Sequence, residues 1–356
     1  MTTLTSSIAV ERTTKSRIKE TDFNNLEFGK YISDHMLVAD YLDGKWQDPK
    51  IMPFGDIMMS PAMLSLHYGQ SVFEGMKAFK NKNGEICIFR PQKHSERLNK
   101  SLRRMCMPEI SEDLFIQSLH AIVETDKNWI PTGEGASLYI RPFVFAFEPR
   151  IGVKIADHFK FFIITSPAAA YFSKPTRLKV ETEFVRAAEG GTGFAKCAGN
   201  YGGAFYPTQL AREQGFDQVL WTDAKEHKYI DEAGVMNVMF VINGKLITPK
   251  LTTALLDGVT RDSILKLAPS LNMQVEERRV SVDEIREAFE KGTITEAFGA
   301  GTAAVVSPIA TINIGGKDYN LPAAGPDSFQ QRAKTKLNNI RLGIEPDTFG
   351  WNYIIR

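Results

Sequence analysis

Lys196 lies in the stretch GGTGFAKCAGNYGG, residues 190–203, with six glycines around it. Such density lets the backbone reach positive φ and lets a ligand approach closely. A lysine held on a constrained turn can act as an amine nucleophile toward an aldehyde, because burial or cationic neighbours lower its pKa and free the amine. From the glycine count alone, a solvated lysine in a glycine-rich loop is the commoner outcome. A phosphate loop of the Walker kind needs Ser or Thr directly after the lysine, and Cys197 stands there.

The elements that must hold this turn can be read from periodicity and turn chemistry. Stretches rich in β-branched and aromatic residues predict strands at Ile86–Arg90, Ser137–Phe147, Phe159–Thr165, Arg177–Glu183, Gln218–Thr222 and Val235–Ile242. Asn243-Gly244 predicts a tight hairpin turn, and Gly315-Gly316 another. Helical patterns cover Pro91–Met105 (Leu98, Leu102 and Met105 on one face), Glu112–Asp126, Gly203–Gln214, Thr260–Leu267, Val282–Lys291 and Asp327–Ile340. Hairpins mixed with helices predict an α+β fold. Residues 166–176, SPAAAYFSKPT, read as an interdomain linker between a domain at 28–165 and one at 177–356. Residues 1–27 read as a flexible N-terminal arm: the first 22 are rich in Ser and Thr, but Glu11, Glu20 and Asp22 argue against a transit peptide.

Bulk properties narrow the function class. A formal net charge of +1 on 356 residues gives no field directed at nucleic acid or a membrane surface. No apolar run approaches the roughly 20 residues of a membrane helix, and no apolar signal core opens the chain. Three cysteines, Cys87, Cys106 and Cys197, fit no zinc or disulfide pattern, and the six histidines show no metal spacing. A reducing, cytoplasmic setting and no metal are the expectations.

Nine segments in order carry a resemblance. They are FGKYISDHML at 28–37, FEGMKAF at 73–79, IFRP at 88–91 with Ser95-Glu96-Arg97 after it, LYIRP at 138–142, KCAGNYG at 196–202, QVLW at 218–221, DEAGVMN at 231–237, GVTRDSIL at 258–265 and EAFGAGTA at 296–303. KCAGNYG is similar to the K-x-G-G-N-Y signature of the branched-chain amino acid aminotransferases, fold type IV enzymes that use pyridoxal 5′-phosphate. The set spans roughly residues 28–340. The resemblance implies two domains, a smaller N-terminal α/β domain and a larger, β-barrel-like C-terminal domain with helices.

It also implies roles. Lys196 would hold the cofactor as an aldimine and then shuttle a proton as general acid and base. Glu232 would pair with the pyridine nitrogen, and Tyr201 would hydrogen-bond the phenolate oxygen. Arg97, Val259, Thr260 and Thr302 would bind the phosphate, with Arg186 near it. From residue type alone, Glu232 reads as a solvated turn acid, Tyr201 as a core tyrosine, and Arg97, beside Lys100, Arg103 and Arg104, as part of a basic face. Tyr68, Phe73 and Tyr139 resemble the aromatic lining of the substrate pocket, and Arg141 with Thr302 and Ala303 the carboxylate contacts. The substrates implied are branched-chain amino acids and 2-oxo acids, glutamate and 2-oxoglutarate. Ile151 and Val153 match a loop that in the family reaches a neighbouring subunit's site, which implies a homodimer.

Departures are few. Ala198 replaces a glycine and is tolerable where φ stays negative. Val235 stands where Thr or Gly is common. Ala304 and Ser307 occupy the positions of the redox-sensitive Cys-x-x-Cys of mammalian members, so no disulfide switch is expected. D-amino acid aminotransferases and aminodeoxychorismate lyases share the lysine and glutamate, but they are generally shorter and lack the segments at 28–37 and 138–142. A non-catalytic binding protein on the same scaffold would have no reason to keep Lys196, Glu232, Tyr201 and Arg97 together.

Overall fold

The structure is a computed structural model that describes residues 8–133, 135–169, 174–302 and 305–356. The chain forms two compact units, Met1–Tyr171 with Arg341–Arg356, and Phe172–Ile340.

The first unit is built on a ten-stranded sheet. Its centre is an antiparallel set, His35–Leu42, Phe159–Ala168, Ser137–Ala146, Met76–Lys80 and Ile86–Phe89. Helix Glu112–Thr125 is capped by the Ser111 side chain, which accepts from the Leu114 N–H. It packs on His35–Leu42 and Phe159–Ala168 and buries Phe115, Leu119 and Ile122. Helix Pro91–Arg104 buries Leu98 and Leu102, on the face that the periodicity predicts.

Three expectations about boundaries need correction. Residues 8–27 are not a free arm: Ala9–Val10 pairs in parallel with Lys50–Ile51, and Ser16 and Arg17 hydrogen-bond the Asp34 carboxylate. The linker does not begin at 166, because Ser166, Pro167 and Ala168 complete the strand paired with Ser137–Tyr139; residues 170–173 lie outside the described ones. The second unit does not run to 356. Asn352–Ile355 returns to the first sheet and pairs with Ile86–Phe89, so the first unit holds more of the chain than the second rather than less.

The second unit is a nine-stranded sheet that closes on itself. Ile230–Ala233, Gln218–Thr222, Thr176–Val180, Val305–Ile314, Ile294–Gly301 and Met236–Ile242 follow one another, and Met236–Ile242 pairs back to Ile230–Ala233. This six-stranded ring is the barrel-like domain expected. Both faces of Met236–Ile242 are covered: Val238, Phe240 and Ile242 join one apolar cluster, and Met239 and Val241 join another beneath helices Val259–Leu267 and Phe329–Arg341. Burial on both faces is why this strand reads as an unbroken apolar run rather than an alternating one. The two hairpin turns form as expected, with positive φ at both Asn243 and Gly244 and at both Gly315 and Gly316.

Candidate active site

In the second unit the chain leaves strand Thr176–Val180 and loops through residues 184–198. It then forms a one-turn helix, Gly199–Gly202, and continues into Phe205–Glu213. Asn200 holds this loop together. Its amide donates to the carbonyls of Thr192 (2.9 Å) and Ala195 (2.8 Å), and its Oδ1 accepts from the Thr192 hydroxyl (2.7 Å). Gly193 lies against the neighbouring 252–256 loop so tightly that a Cβ would sit 2.2 Å from the Ala254 carbonyl oxygen. Ala198 has φ −60°, so the departure from glycine there brings no backbone strain.

This loop leaves Lys196 half-buried, with Nζ donating to Tyr201 Oη at 3.0 Å. Both side chains line a pocket that they share with Arg186, Asn200, Glu232, Val235 and Leu256. Glu232 is only 3% exposed and is therefore no solvated turn acid. Its strand, Ile230–Ala233, sets it opposite Asn237. Oε1 accepts from the Leu256 N–H at 2.7 Å, and Oε2 lies 3.2 Å from Arg186 Nε. That Nε makes no aligned hydrogen bond, so the contact with Arg186 is one of charge. The next carboxyl along the strand, Asp231, is pushed up to about 7 by burial and by the charge of Glu232.

Arg186, expected near a phosphate, has its guanidinium on Glu232 and on the carbonyls of Ala254 and Gly193. Val259 and Thr260 open the helix Val259–Leu267 after Gly258. The first helical bond runs from the Asp262 N–H to the Gly258 carbonyl at 2.9 Å, so residues 259–261 form the N-terminal turn of the helix, the end that favours anions. Neither residue lines the Lys196 pocket, and nor does the half-buried Thr302. Ala303 and Ala304 lie outside the described residues. Val235 is 56% exposed at the pocket, and Cys197 is buried.

In the first unit Arg97 is buried, unlike Arg103 and Arg104 on the same helix. Its Nε and Nη2 donate to the two oxygens of Glu74 at 2.7 and 2.9 Å, and His94 reaches Glu74 Oε2 at 2.8 Å. Burial alone would raise the Glu74 carboxyl; Arg97 and His94 outweigh it and hold the group well below the usual carboxylate range. Phe73, Tyr139 and Arg141 come together. Arg141 Nη2 donates to Tyr139 Oη at 2.9 Å, and its guanidinium lies 4.6 Å from the Phe73 ring centroid. Tyr68 bonds the Ile151 carbonyl instead, beside the exposed Ile151 and Val153.

Asn200, Asn237 and Leu256 are the site residues that sequence reasoning passes over. Both asparagines stand inside motifs already singled out, but Leu256 acts through its backbone and leaves no sequence signal. Among the described residues no group of His, Cys, Asp or Glu could hold a metal, and no helix is long and apolar enough to cross a membrane.

Comparison with known proteins places this geometry. The amino-transferase class IV family model matches residues 71–312. The chain is 46% identical over 353 residues to the probable branched-chain-amino-acid aminotransferase of Staphylococcus aureus (strain MRSA252), covering 98% of each chain. The solved Escherichia coli branched-chain amino acid aminotransferase superposes with a TM-score of 0.74 at 25% identity, over 89% of this chain and 99% of that one. The pyridoxal phosphate form of the Thermobaculum terrenum enzyme superposes equally well, at 24% identity over 90% of this chain and 98% of that one. The chain belongs to the class IV amino-transferases, among the branched-chain-amino-acid aminotransferases.

Proposed function

We propose that this protein moves the amino group of L-leucine, L-isoleucine or L-valine to 2-oxoglutarate, giving 2-oxo acids and L-glutamate, with pyridoxal 5′-phosphate held on Lys196. The observation that carries this reading is that a lysine amine, a tyrosine hydroxyl and a buried carboxylate line one pocket. That donor set fits the cofactor: an amine for its aldehyde, a hydroxyl for its phenolate and an anion for its protonated ring nitrogen. When bound, the cofactor supplies the carbonyl that takes up the amine and the ring that withdraws electrons.

The remaining chemistry falls to side chains of this protein. Lys196 would anchor the cofactor, and its free amine would take a proton from the substrate Cα as general base and return it as general acid. Tyr201 Oη keeps Nζ within reach. Glu232, which accepts from the Leu256 N–H and lies against Arg186, would hold a proton on the ring nitrogen. Val259 and Thr260 would offer backbone N–H groups to the phosphate. Arg141, set against Phe73 and Tyr139, would meet a carboxylate beside apolar walls. The parts given to Arg97, Thr302, Ala303 and Tyr68 rest on the family resemblance. A homodimer in the cytoplasm completes the proposal; the exposed apolar Ile151 and Val153 support the dimer, and three free cysteines support the compartment.

The test is spectroscopic. L-leucine should abolish the visible band of the cofactor-loaded protein, and 2-oxoglutarate should restore it. Full turnover by Lys196→Ala would sink the mechanism, and a response to D-alanine but not to L-leucine would sink the substrate class.

A further inference from the structure

Glu232 and Asn237 stand directly opposite each other on adjacent strands, Ile230–Ala233 and Met236–Ile242. Between them they take both backbone groups of one loop residue. The Leu256 N–H donates to Glu232 Oε1 at 2.7 Å, and the Leu256 carbonyl accepts from Asn237 Nδ2 at 2.9 Å. The same Nδ2 lies 3.5 Å from Glu232 Oε1. On its other side, Asn237 Oδ1 abuts Gly258, where a Cβ would come within 1.9 Å of it. Gly258 is the residue from which helix Val259–Leu267 starts. Asn237 is 6% exposed, so this amide works away from bulk water, where a misplaced polar group is costly.

We infer that Asn237 is a positioning residue that fixes the start of helix Val259–Leu267 relative to Glu232, and so sets the spacing between the groups that would meet the cofactor's phosphate and its ring nitrogen. The inference rests on reading Lys196 and Glu232 as the pyridoxal phosphate site. Only an amide does both jobs here. Its N–H₂ donates to a carbonyl while adding no charge beside Glu232, and its oxygen is small enough to lie against a residue without a side chain. A carboxylate at 237 would face the Leu256 carbonyl with no hydrogen to offer and would put a second negative charge beside Glu232. The other titratable groups around the pair are Arg186 on the far oxygen of Glu232, Asp231 next to it on the strand, Lys196 in the shared pocket and Asp257 in the turn; all four are present in every variant, so the comparison of Asn237→Asp with Asn237→Ala cancels their titration.

The experiment compares Asn237→Asp, Asn237→Ala and Gly258→Ala with wild type by two readouts: the dissociation constant for pyridoxal 5′-phosphate between pH 5.5 and 8.5, and hydrogen exchange at the Leu256 amide without cofactor. Gly258 has negative φ, so alanine strains no backbone; its Cβ would meet the Asn237 amide first, at 1.9 Å, and Arg261 Cβ more loosely, at 3.2 Å. All three variants should bind about tenfold more weakly than wild type at pH 8.5. Only Asn237→Asp should recover toward wild type as pH falls, because its protonated carboxyl regains a donor for the Leu256 carbonyl. Leu256 exchange should speed up by about tenfold in Asn237→Ala. Faster exchange with no pyridoxal phosphate binding by wild type would overturn the cofactor reading and leave the clamp standing. Unchanged exchange, or the same pH profile for Asn237→Asp and Asn237→Ala, would overturn the inference.

Discussion

Lys196 Nζ donates to Tyr201 Oη at 3.0 Å across a single turn, and the Asn200 side chain between them ties that turn to Thr192 and Ala195. The amine is therefore held by a neighbour whose own backbone is pinned. Replacing Tyr201 with Phe should leave the fold intact and lower kcat for L-leucine and 2-oxoglutarate by about 10- to 100-fold. Lys196→Ala should lose at least the roughly 10²–10⁴-fold that a positioned acid–base group supplies. Steady-state turnover of the two variants checks both, and a Tyr201→Phe enzyme with wild-type kcat would show that the hydroxyl plays no part.

Glu74 and Arg97 form a buried ion pair in the first unit, with His94 on the same carboxylate. Removing one partner from such a pair leaves an uncompensated charge in the interior and typically destabilises by about 3–5 kcal/mol. Glu74→Gln keeps the shape and removes the charge, so its urea midpoint should fall sharply. The folded-state carboxyl is held low, so the pair's contribution is present above the usual 4.5 and is lost as pH falls through the folded value. The gap between Glu74→Gln and wild type should therefore narrow in acid.

Asp231 sits beside Glu232 at 9% exposure and is raised to about 7, burial being the larger cause. A carboxyl whose folded pKa is raised binds a proton in the folded state that the unfolded chain has already released. Stability therefore declines as pH rises from about 3.8 to about 7 and then levels off. Asp231→Asn should stabilise by roughly 1–3 kcal/mol at pH 8 and by almost nothing near pH 3.5. Thermal unfolding at the two pH values decides it; equal gains at both would mean that Asp231 is not strained by ionisation.

Much of this was legible in the sequence, and the parts that were not share a physical cause. Gln218–Thr222 and the two hairpin turns could be read because their signals are local: β-branched residues, and Asn-Gly or Gly-Gly where φ must be positive. The return of Asn352–Ile355 to Ile86–Phe89 could not, because four residues carry little pattern and their partner is remote in sequence. The same holds at the N-terminus, where the polar run around Thr13 and Ser16 reads as disorder until His35 and Asp34 are seen to receive its hydrogen bonds. In the site, Lys196 and Glu232 are singled out by the motifs they sit in, not by chemical type alone. Arg186 is also named, but its contact with Glu232 is not legible, because its partners are a carboxylate and two carbonyls brought together only when the barrel closes.

Gly75 offers a test of the first unit's aromatic group that leaves its functional side chains untouched. A Cβ at 75 would lie 2.1 Å from Tyr139 Oη, so the hydroxyl occupies the space that any side chain would need. That hydroxyl receives Arg141 Nη2 at 2.9 Å, and the guanidinium in turn rests on Phe73. Gly75 does not have positive φ, so alanine is compatible with its backbone and acts only through the collision. Gly75→Ala should therefore displace Tyr139 and release Arg141. With Arg141 as the carboxylate contact, KM for 2-oxoglutarate should rise by about tenfold or more, the loss of one charged hydrogen bond, while kcat changes less. Tyr139→Phe in the wild-type background removes the acceptor for Arg141 without the collision, so its KM should rise as well. An unchanged KM in Gly75→Ala, with the variant folded, would exclude Arg141 from substrate binding.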